Sequence, residues 1–216
     1  MPEPQSIADR SPFRSAVERA SEREQKREAV LRAAVRAFNA KSFEATSLDE
    51  VAAALGISKP TIYHYLGNKE QVLVECVTRG LEMLQAAARE AQAESGSGLE
   101  RLRRFLRRYA EINMDDFGRC VIRTNDEALS AEGRRRFRDL KGEIDRAMRA
   151  LIAEGVDDGS IAPVDVRIAA FTLAGALNWP ARWHQADGEM SPGEIASSMV
   201  DLLVSGIGPR AQARRD

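Results

Sequence analysis

The feature that most constrains the fold is a pair of short helical patterns, separated by a glycine, within residues 46–69. This segment has the sequence TSLDEVAAALGISKPTIYHYLGNK. Ser47 is a favoured N-cap for the first helix, and Gly56 can end that helix because glycine adopts left-handed backbone angles without a Cβ clash. Pro60 suits the first turn of the second helix, where its missing N–H has no helical partner. Two helices joined by so short a turn are expected to pack against each other through apolar residues.

Helical periodicity continues on both sides of this segment. Apolar residues recur three and four positions apart, as in residues 30–38 and 72–84, and no stretch alternates like a β-strand. Ser-x-x-Glu capping patterns begin at Ser21, Ser47 and Ser191. We therefore predict an all-α protein with about nine helices. The predicted ranges are 21–42, 48–55, 58–66, 69–93, 99–114, 120–125, 130–154, 165–184 with a kink at Pro180, and 191–207.

Breaks in the periodicity suggest how the chain is divided. The first 20 residues hold three prolines and scattered charge, and a Glu-Ser-Gly-Ser-Gly segment interrupts the helices at 94–98. We expect a small three-helix domain followed by a larger helical domain. The predicted divisions are a flexible arm at 1–20, a small domain at 21–68 with the two-helix motif at 47–66, a larger domain at 69–208 and a tail at 209–216.

The composition disfavours several classes of protein. The formal net charge is -1, so any attraction to nucleic acid must be local. The chain has only two histidines, His64 and His184, which makes a histidine-based metal site or catalytic triad hard to build. No glycine-rich phosphate loop follows a strand pattern. We therefore expect a protein that is not an enzyme and that uses no metal or resident cofactor.

The cysteines and the hydropathy bear on the cellular setting. Cys76 and Cys120 are far apart and form no CxxC pair, so two buried thiols are favoured over a disulfide scaffold or a zinc site. A redox-sensing thiol is the alternative. No apolar run approaches the ~20 residues needed to cross a bilayer, and the N-terminal residues lack an apolar signal core. We expect a cytoplasmic protein.

The motif at 47–66 has the features of a DNA-binding helix-turn-helix, in which the second helix enters the major groove. Ala52 is small enough for the point where the helices cross, and Val51 and Ile62 can lock them together. The alternative is a helical hairpin whose polar residues only face water. The candidate DNA-contacting residues are Thr46, Ser47, Ser58, Lys59, Pro60, Thr61, Tyr63, His64, Tyr65 and Lys69.

Different roles are expected within this set. Thr46 and Ser47 lie at a helix N-terminus, where hydroxyls and free N–H groups suit a phosphate. Lys69 would hold another phosphate as a point charge. Lys59 is expected to meet a guanine edge, and the methyl group of Thr61 a thymine. The tyrosine hydroxyls would contact phosphate or sugar.

Residues 27–75 resemble the N-terminal domain of TetR-family transcriptional regulators. The resemblance rests on the pattern T-S-x-x-x-V-A-x-x-x-G-I-S-K-x-T-I-Y-x-Y-x-x-N-K-E, which begins at Thr46. Ser42 stands where the family commonly has glycine, and Leu66 stands where it often has phenylalanine. Ser42 would strain its turn by ~1 kcal/mol if its φ is positive.

This resemblance implies a homodimer in which each subunit carries a three-helix DNA-binding domain and a larger all-α domain for ligand binding and dimerisation. Two copies would meet successive major grooves of a near-palindromic operator, and a small hydrophobic ligand would relieve repression. Residues 171–207 are apolar and rich in small residues. We therefore expect the last two helices to form the dimer interface rather than only an internal core.

A second, shorter resemblance covers WPARWH at 179–184, which is similar to a TetR branch that controls lipid and sterol catabolism. Members of that branch respond to acyl-CoA thioesters, which have a bulky apolar part and an anionic part. Alternatives are another effector class, such as a hydrophobic drug, or a ligand-blind DNA binder, which the near-zero net charge disfavours. The implied ligand-binding residues are the apolar Phe105, Tyr109, Ile112, Phe117, Val121, Phe171, Trp179 and Trp183 and the cationic Arg119, Arg123 and Arg182.

Some of these features also have plainer interpretations. Trp179 and Trp183 are four residues apart, and packing in a core or an interface is favoured over stacking on a ligand. The arginines at 101–108 lie opposite the apolar stripe of their helix, so a solvated face is favoured over a phosphate site. The arginines at 134–138 are expected to pair with acidic neighbours.

Overall fold

The computed structural model describes residues 16–207, and the all-α prediction is confirmed for that range. It contains nine helices of seven residues or more, a one-turn helix and a short 3-10 turn at Asp126–Ala128, and no strand within the described residues. The helices are α1 (Ala16–Lys41), α2 (Leu48–Ala54), α3 (Lys59–Leu66), α4 (Lys69–Ala93), α5 (Gly98–Met114), α6 (Asp116–Arg123), α7 (Ala131–Asp157), α8 (Val166–Asn178), α9 (Pro180–Trp183) and α10 (Pro192–Ile207).

The first three helices form a small unit whose apolar residues are continuous with the core of the rest of the protein. Leu31 and Val35 of α1, Val51 of α2 and Ile62 of α3 are all buried there. Their spacing along each helix places them on one face, which is the pattern that predicted the helices. The unit therefore presents the opposite face of α3 to solvent.

The long helix α4 leads directly from this unit into the rest of the protein. Asn68 caps it with a reciprocal pair of bonds: its side chain accepts from the Gln71 N–H at 2.9 Å, and the Gln71 side chain accepts from the Asn68 N–H at 2.8 Å. Such a capping box satisfies two N–H groups that the helix leaves free. The cap keeps the link between the two parts of the chain helical from its first residue.

The larger part of the molecule is a helical bundle around α4 and α5. Helix α4 packs against α5, α6 and α7, and α10 lies along α5. Phe105, Phe117, Phe137 and Met148 are among its largest fully buried side chains. Each such burial stabilises the fold by about 1.5–3 kcal/mol. Within residues 16–207, no helix is both long and apolar enough to traverse a bilayer.

Three helix boundaries differ from the predictions. Helix α1 begins at Ala16, so the predicted arm is wrong for residues 16–20, which are helical. Helix α6 begins at Asp116 because the Asp115 side chain caps it by accepting from the Phe117 N–H at 3.0 Å. The predicted helix over 165–184 is interrupted after Asn178, since Pro180 has no N–H to continue the ladder. The rest of the predicted arm and the predicted tail at 209–216 lie outside the described residues.

Candidate functional site

Helices α2 and α3 form the predicted helix-turn-helix, with the turn fixed by Gly56. Gly56 has a φ of +66°, the left-handed conformation that glycine accepts best. The Ile57 N–H donates to the Ala52 carbonyl at 3.0 Å, which closes the end of α2. Ala52 and Ile62 are buried between the helices. The geometry holds α3 at a fixed angle to α2 with one side free.

The free side of α3 carries most of the candidate DNA-contacting residues. Ile62 and Leu66 are buried in the core, which leaves Tyr63 and His64 between them facing outward. The Ser58 and Thr61 hydroxyls lie 2.8 Å apart and form one hydrogen bond. Tyr63 is 47% exposed. The exposed candidates on this surface are Ser58, Lys59, Pro60, Tyr63 and His64, with Thr61 half-buried beside them.

Lys59 is engaged by a residue that sequence reasoning did not select. Its Nζ makes an ion pair with Asp49 Oδ2, on the first turn of α2. The hydrogen bond with Asp49, followed by the charge of that carboxylate, raises the pKa of Lys59. The pair was not anticipated because ten positions separate the residues, and only the packing of α2 on α3 brings them together.

Thr46 does not fit the predicted phosphate role. It is only 3% exposed, and its hydroxyl lies 2.7 Å from the Ser42 carbonyl oxygen and 3.1 Å from that of Ala37. The hydroxyl is therefore used to close the corner between α1 and α2. Ser47 is the N-cap of α2, accepting from the Asp49 N–H at 3.1 Å, and it is half-buried.

Lys69 and Tyr65 are also engaged within the domain. Lys69 donates to the Glu44 carbonyl oxygen at 3.2 Å, and its Nζ lies 4.4 Å from the centre of the Phe43 ring. It therefore fastens the loop between α1 and α2. Tyr65 packs partly against the core, with the His64 ring 5.5 Å away edge-on. Ser42 has a φ of +76°, which meets the condition for the turn strain predicted at that position.

The residues implied as a ligand-binding set do not converge on one cavity. Phe105, Ile112, Phe117 and Val121 are buried in the core together with Tyr109. The other three aromatic residues point outward and are exposed to solvent. The aromatic members therefore lie on different faces of the bundle, and a shared apolar lining stays a prediction. The outward-facing members are Phe171, Trp179 and Trp183.

Phe171 is held at the surface by two arginines. The guanidinium carbons of Arg149 and Arg167 lie 5.3 and 5.5 Å from the centre of its ring. Cation–π contacts of this kind stabilise an exposed ring in one orientation. The arrangement places Phe171 on the outer face of α8 and away from the core.

The three implied cationic residues have different surroundings. Arg119 is turned inward, donating to the Met114 and His184 carbonyl oxygens at 3.2 and 3.0 Å. Burial lowers the pKa of Arg119, and burial followed by the Arg119 charge lowers the pKa of His184. Arg123 and Arg182 instead line a common cleft of about 560 Å³ between α1 and α6. Arg182 is exposed in that cleft.

The arginine-rich face of α5 is paired with acidic residues. Arg103 and Arg107 both donate to Asp201 of α10, at 3.0 and 3.1 Å. Arg101 pairs with Glu154 at 2.8 Å. These three arginines are half-buried and ion-paired rather than fully solvated, and two of them also tie α10 to α5. In the second arginine run, Arg138 pairs with Asp126 at 2.7 Å and Arg136 lies 4.0 Å from Glu82.

A polar joint connects the small unit to the larger bundle through α6. Asp116 accepts from Arg36 Nε at 2.7 Å, and its carbonyl oxygen accepts from Asn39 Nδ2 at 2.8 Å. Arg123, at the other end of α6, donates to the Asn39 carbonyl oxygen. Sequence reasoning missed this joint because its members lie 77 or more positions apart. A displacement of α6 would be transmitted to the end of α1.

The outer faces of α8 and α10 expose an unusual number of large apolar residues. Ile168, Phe171 and Trp179 lie on α8 or at its end, and Leu202 lies on α10. Gly175 lies among them, and a Cβ built on it would meet no atom of the chain within 4 Å. Large apolar side chains exposed in this number often mark an interaction site.

Both cysteines are buried and free. Burial raises the pKa of Cys120 to about 11 and that of Cys76 well above its usual value. At pH 8 we expect each thiol to react with Ellman's reagent at least ~100-fold more slowly than in denaturant, because so little thiolate is present. Unfolded thiols ionise near pH 8.5, so the free energy of unfolding should fall between about pH 9 and 11.

A matched variant tests the thiol prediction. Cys120→Ala should make the loss of stability between about pH 9 and 11 shallower, measured by urea unfolding at several pH values. Rapid modification of either thiol in the native protein would contradict the burial argument and would restore the redox-sensing alternative.

Comparison with known proteins relates these features to a family. Residues 30–76 match the domain model described as bacterial regulatory proteins, tetR family, and residues 95–207 match the tetracyclin repressor-like C-terminal domain. Together the two matches span most of the small unit and most of the larger bundle.

Individual relatives agree over nearly their whole length. The TetR-family transcriptional regulator PfmR from Thermus thermophilus is 33% identical, with 83% of this chain and 99% of that one covered and a TM-score of 0.75. AibR, solved in complex with isovaleryl coenzyme A and operator DNA, is 26% identical over 82% of this chain and 96% of its own, with a TM-score of 0.72. The fatty acid metabolism regulator protein of Bacillus subtilis is 23% identical over 182 residues, 82% of this chain and 93% of that protein. The helix-turn-helix, the larger helical bundle and these matches together show that the chain belongs to the TetR family of transcriptional regulators.

Proposed function

We propose that the protein is a dimeric repressor that binds a near-palindromic operator through α3 and leaves it when an acyl-CoA thioester binds. The observation that carries the DNA-binding part is the outward polar face of α3, held rigidly by the packing of Ile62 and by the turn at Gly56. One copy of α3 spans a half-site, so an operator of useful length requires two copies.

The dimer is supported by the exposed face of α8 and α10. Leu202 and Trp179 would be buried against the same face of a second copy, as a two-fold interface requires. Gly175 would allow the two backbones to approach closely. This arrangement also agrees with the interpretation of the tryptophans as packing residues, because Trp179 ends α8, Trp183 ends the adjoining α9, and both are exposed in the single chain.

Two observations support an acyl-CoA effector. AibR, a relative of similar fold, was solved with isovaleryl coenzyme A and operator DNA, and another relative is a fatty acid metabolism regulator. In this chain, Arg123 and Arg182 line one cleft beside the joint between the domains. Guanidinium forks suit phosphate groups such as those of CoA. A ligand bound there would contact Arg123, which donates to the Asn39 carbonyl oxygen near the end of α1. Its binding would therefore affect that end of the helix.

The proposal can be tested with DNA selection followed by ligand titration. We expect the protein to enrich a near-palindromic duplex from a random pool and to bind it with a steep salt dependence. Acyl-CoA thioesters should raise the thermal midpoint and release the duplex, whereas the matching free acids and free CoA should do neither. Release by hydrophobic drugs alone would support the other effector class.

A substitution in the cleft tests whether the effector binds there. Arg182→Gln should weaken release by acyl-CoA about tenfold while leaving operator binding unchanged, because one phosphate contact is lost. Arg104→Gln, at an exposed ion pair with Glu94, is the matched control and should respond like the wild type. If acyl-CoA releases the wild type, Arg182→Gln and Arg104→Gln equally well, Arg182 is not part of the effector site.

A further inference from the structure

An ion pair between Lys59 and Asp49 lies at the start of α3, on the side of the domain that is proposed to face DNA. Lys59 is the first residue of α3, and its Nζ contacts the carboxylate of Asp49 on α2. The Lys59 side chain is 68% exposed and that of Asp49 is 36% exposed. The negative charge therefore lies on the same side of the domain as the exposed residues of α3.

Lys59 carries the permanent positive charge of this helix. The sequence of α3, KPTIYHYL, has one lysine and no arginine. Non-specific binding to DNA depends mostly on such charges, because each phosphate that is neutralised releases bound counterions. A carboxylate held against Lys59 cancels this attraction unless the lysine leaves it.

The surroundings of the Asp49 carboxylate also favour its ion pair with Lys59. Asp49 Oδ1 is buried and has no hydrogen-bond partner, so Lys59 is the cation that compensates the charge of this group. Leaving a partly buried carboxylate without a partner is unfavourable. The lysine is therefore expected to leave only in a close-fitting complex that fixes another acceptor against Nζ, such as the O6 and N7 atoms of a guanine in the operator.

We propose that Asp49 is a specificity-determining residue, which holds Lys59 away from the phosphates of random DNA and releases it to a base edge in the operator. This inference rests on the proposed function, since it requires α3 to bind DNA. Other residues of α3 would favour binding to the operator, whereas Asp49 would weaken binding to DNA of other sequences.

The test compares Asp49→Asn with the wild-type protein on a duplex of random sequence. The variant frees one lysine per subunit and two per dimer. We expect the slope of log affinity against log salt to steepen by about 2, and random DNA to be bound about tenfold more tightly at about 50 mM salt. The ratio of operator affinity to random affinity should fall accordingly. Fluorescence anisotropy with labelled duplexes measures both quantities.

The chain offers a matched control for the change in net charge. Glu94→Gln also removes one carboxylate from an exposed ion pair, with Arg104 at 2.6 Å. Glu94 follows the far end of the 25-residue α4, about 36 Å from its start. This separation exceeds the Debye length of about 10 Å at 0.1 M salt. Glu94→Gln should therefore leave the salt slope unchanged.

Asp49→Glu and Asp49→Ser separate the charge of Asp49 from its structural role at the start of α2. The first keeps the negative charge and should restore weak binding to random DNA. The second removes the charge in a different way and should behave like Asp49→Asn, provided that its thermal midpoint shows a folded protein. An unchanged slope in both neutral variants, or an equal change in Glu94→Gln, would overturn the inference. Absence of salt-dependent DNA binding by the wild type would instead refute the proposed function.

Discussion

Leu202→Glu is expected to convert the dimer into a monomer and to weaken operator binding by at least about 100-fold. Leu202 is 77% exposed on α10, a helix that contacts α8. In a two-fold interface the new carboxylate would be removed from water and placed near the same charge of the second copy, both of which are unfavourable. Two linked half-site contacts exceed the affinity of one by roughly 10²–10⁴, and the monomer loses that gain.

Sedimentation equilibrium measures the change in mass directly. Val17→Glu is a matched control, because Val17 is an aliphatic residue of α1 with 78% exposure and lies outside the α8 and α10 face. It should sediment like the wild type. If Leu202→Glu remains a dimer at micromolar concentration, the α8 and α10 face is not the interface, and the spacing of the two α3 helices must be set elsewhere.

Gly118→Ala is expected to lower the free energy of unfolding by about 3 kcal/mol, which corresponds to roughly 6–12 °C in thermal midpoint. A Cβ at Gly118 would overlap the carbonyl oxygen of Ile112, at the sharp corner between α5 and α6. The obstacle is backbone, so no rotamer change can relieve it and α6 must shift. Because α6 carries Asp116 and Arg123, that shift would also disturb the joint with α1.

Urea unfolding followed by circular dichroism, at one fixed protein concentration, tests this expectation. Gly142→Ala in α7 is the control, since its Cβ would meet only the far end of the flexible Arg146 side chain. That substitution should stabilise the protein by up to ~1 kcal/mol through helix propensity. Equal urea midpoints for Gly118→Ala and the wild type would show that the backbone between α5 and α6 can shift with little loss in the free energy of unfolding.

Local chemistry explains which helix boundaries were predictable. Gly56 and Pro60 act through their own backbone, so the end of α2 and the start of α3 followed directly from the sequence. Helix α6 was placed four residues too late because Asp115 was not recognised as its cap. Pro180 was correctly identified as the point where the helix is disturbed, because it lacks an N–H, but the predicted kink is an interruption between α8 and α9.

The candidate sites were predictable to different extents. The outward residues of α3 followed from helical periodicity, since Ile62 and Leu66 fix which face is buried. Thr46 was assigned to phosphate because its residue type suits a helix N-terminus, but the structure uses its hydroxyl internally. The implied ligand-binding aromatics were grouped by chemistry alone, and their positions on different faces depend on how α5, α6 and α8 pack.

The sequence by itself determined the helical class, the helix-turn-helix and its polar face, because these depend on periodicity, caps and glycine or proline backbone angles within a few residues. Only the tertiary structure decided the pairing of Lys59 with Asp49, the joint through Asp116, and the exposure of Phe171 and Trp179. The physical reason is distance along the chain. Contacts between residues far apart depend on the packing angle of whole helices, and no local preference encodes that angle.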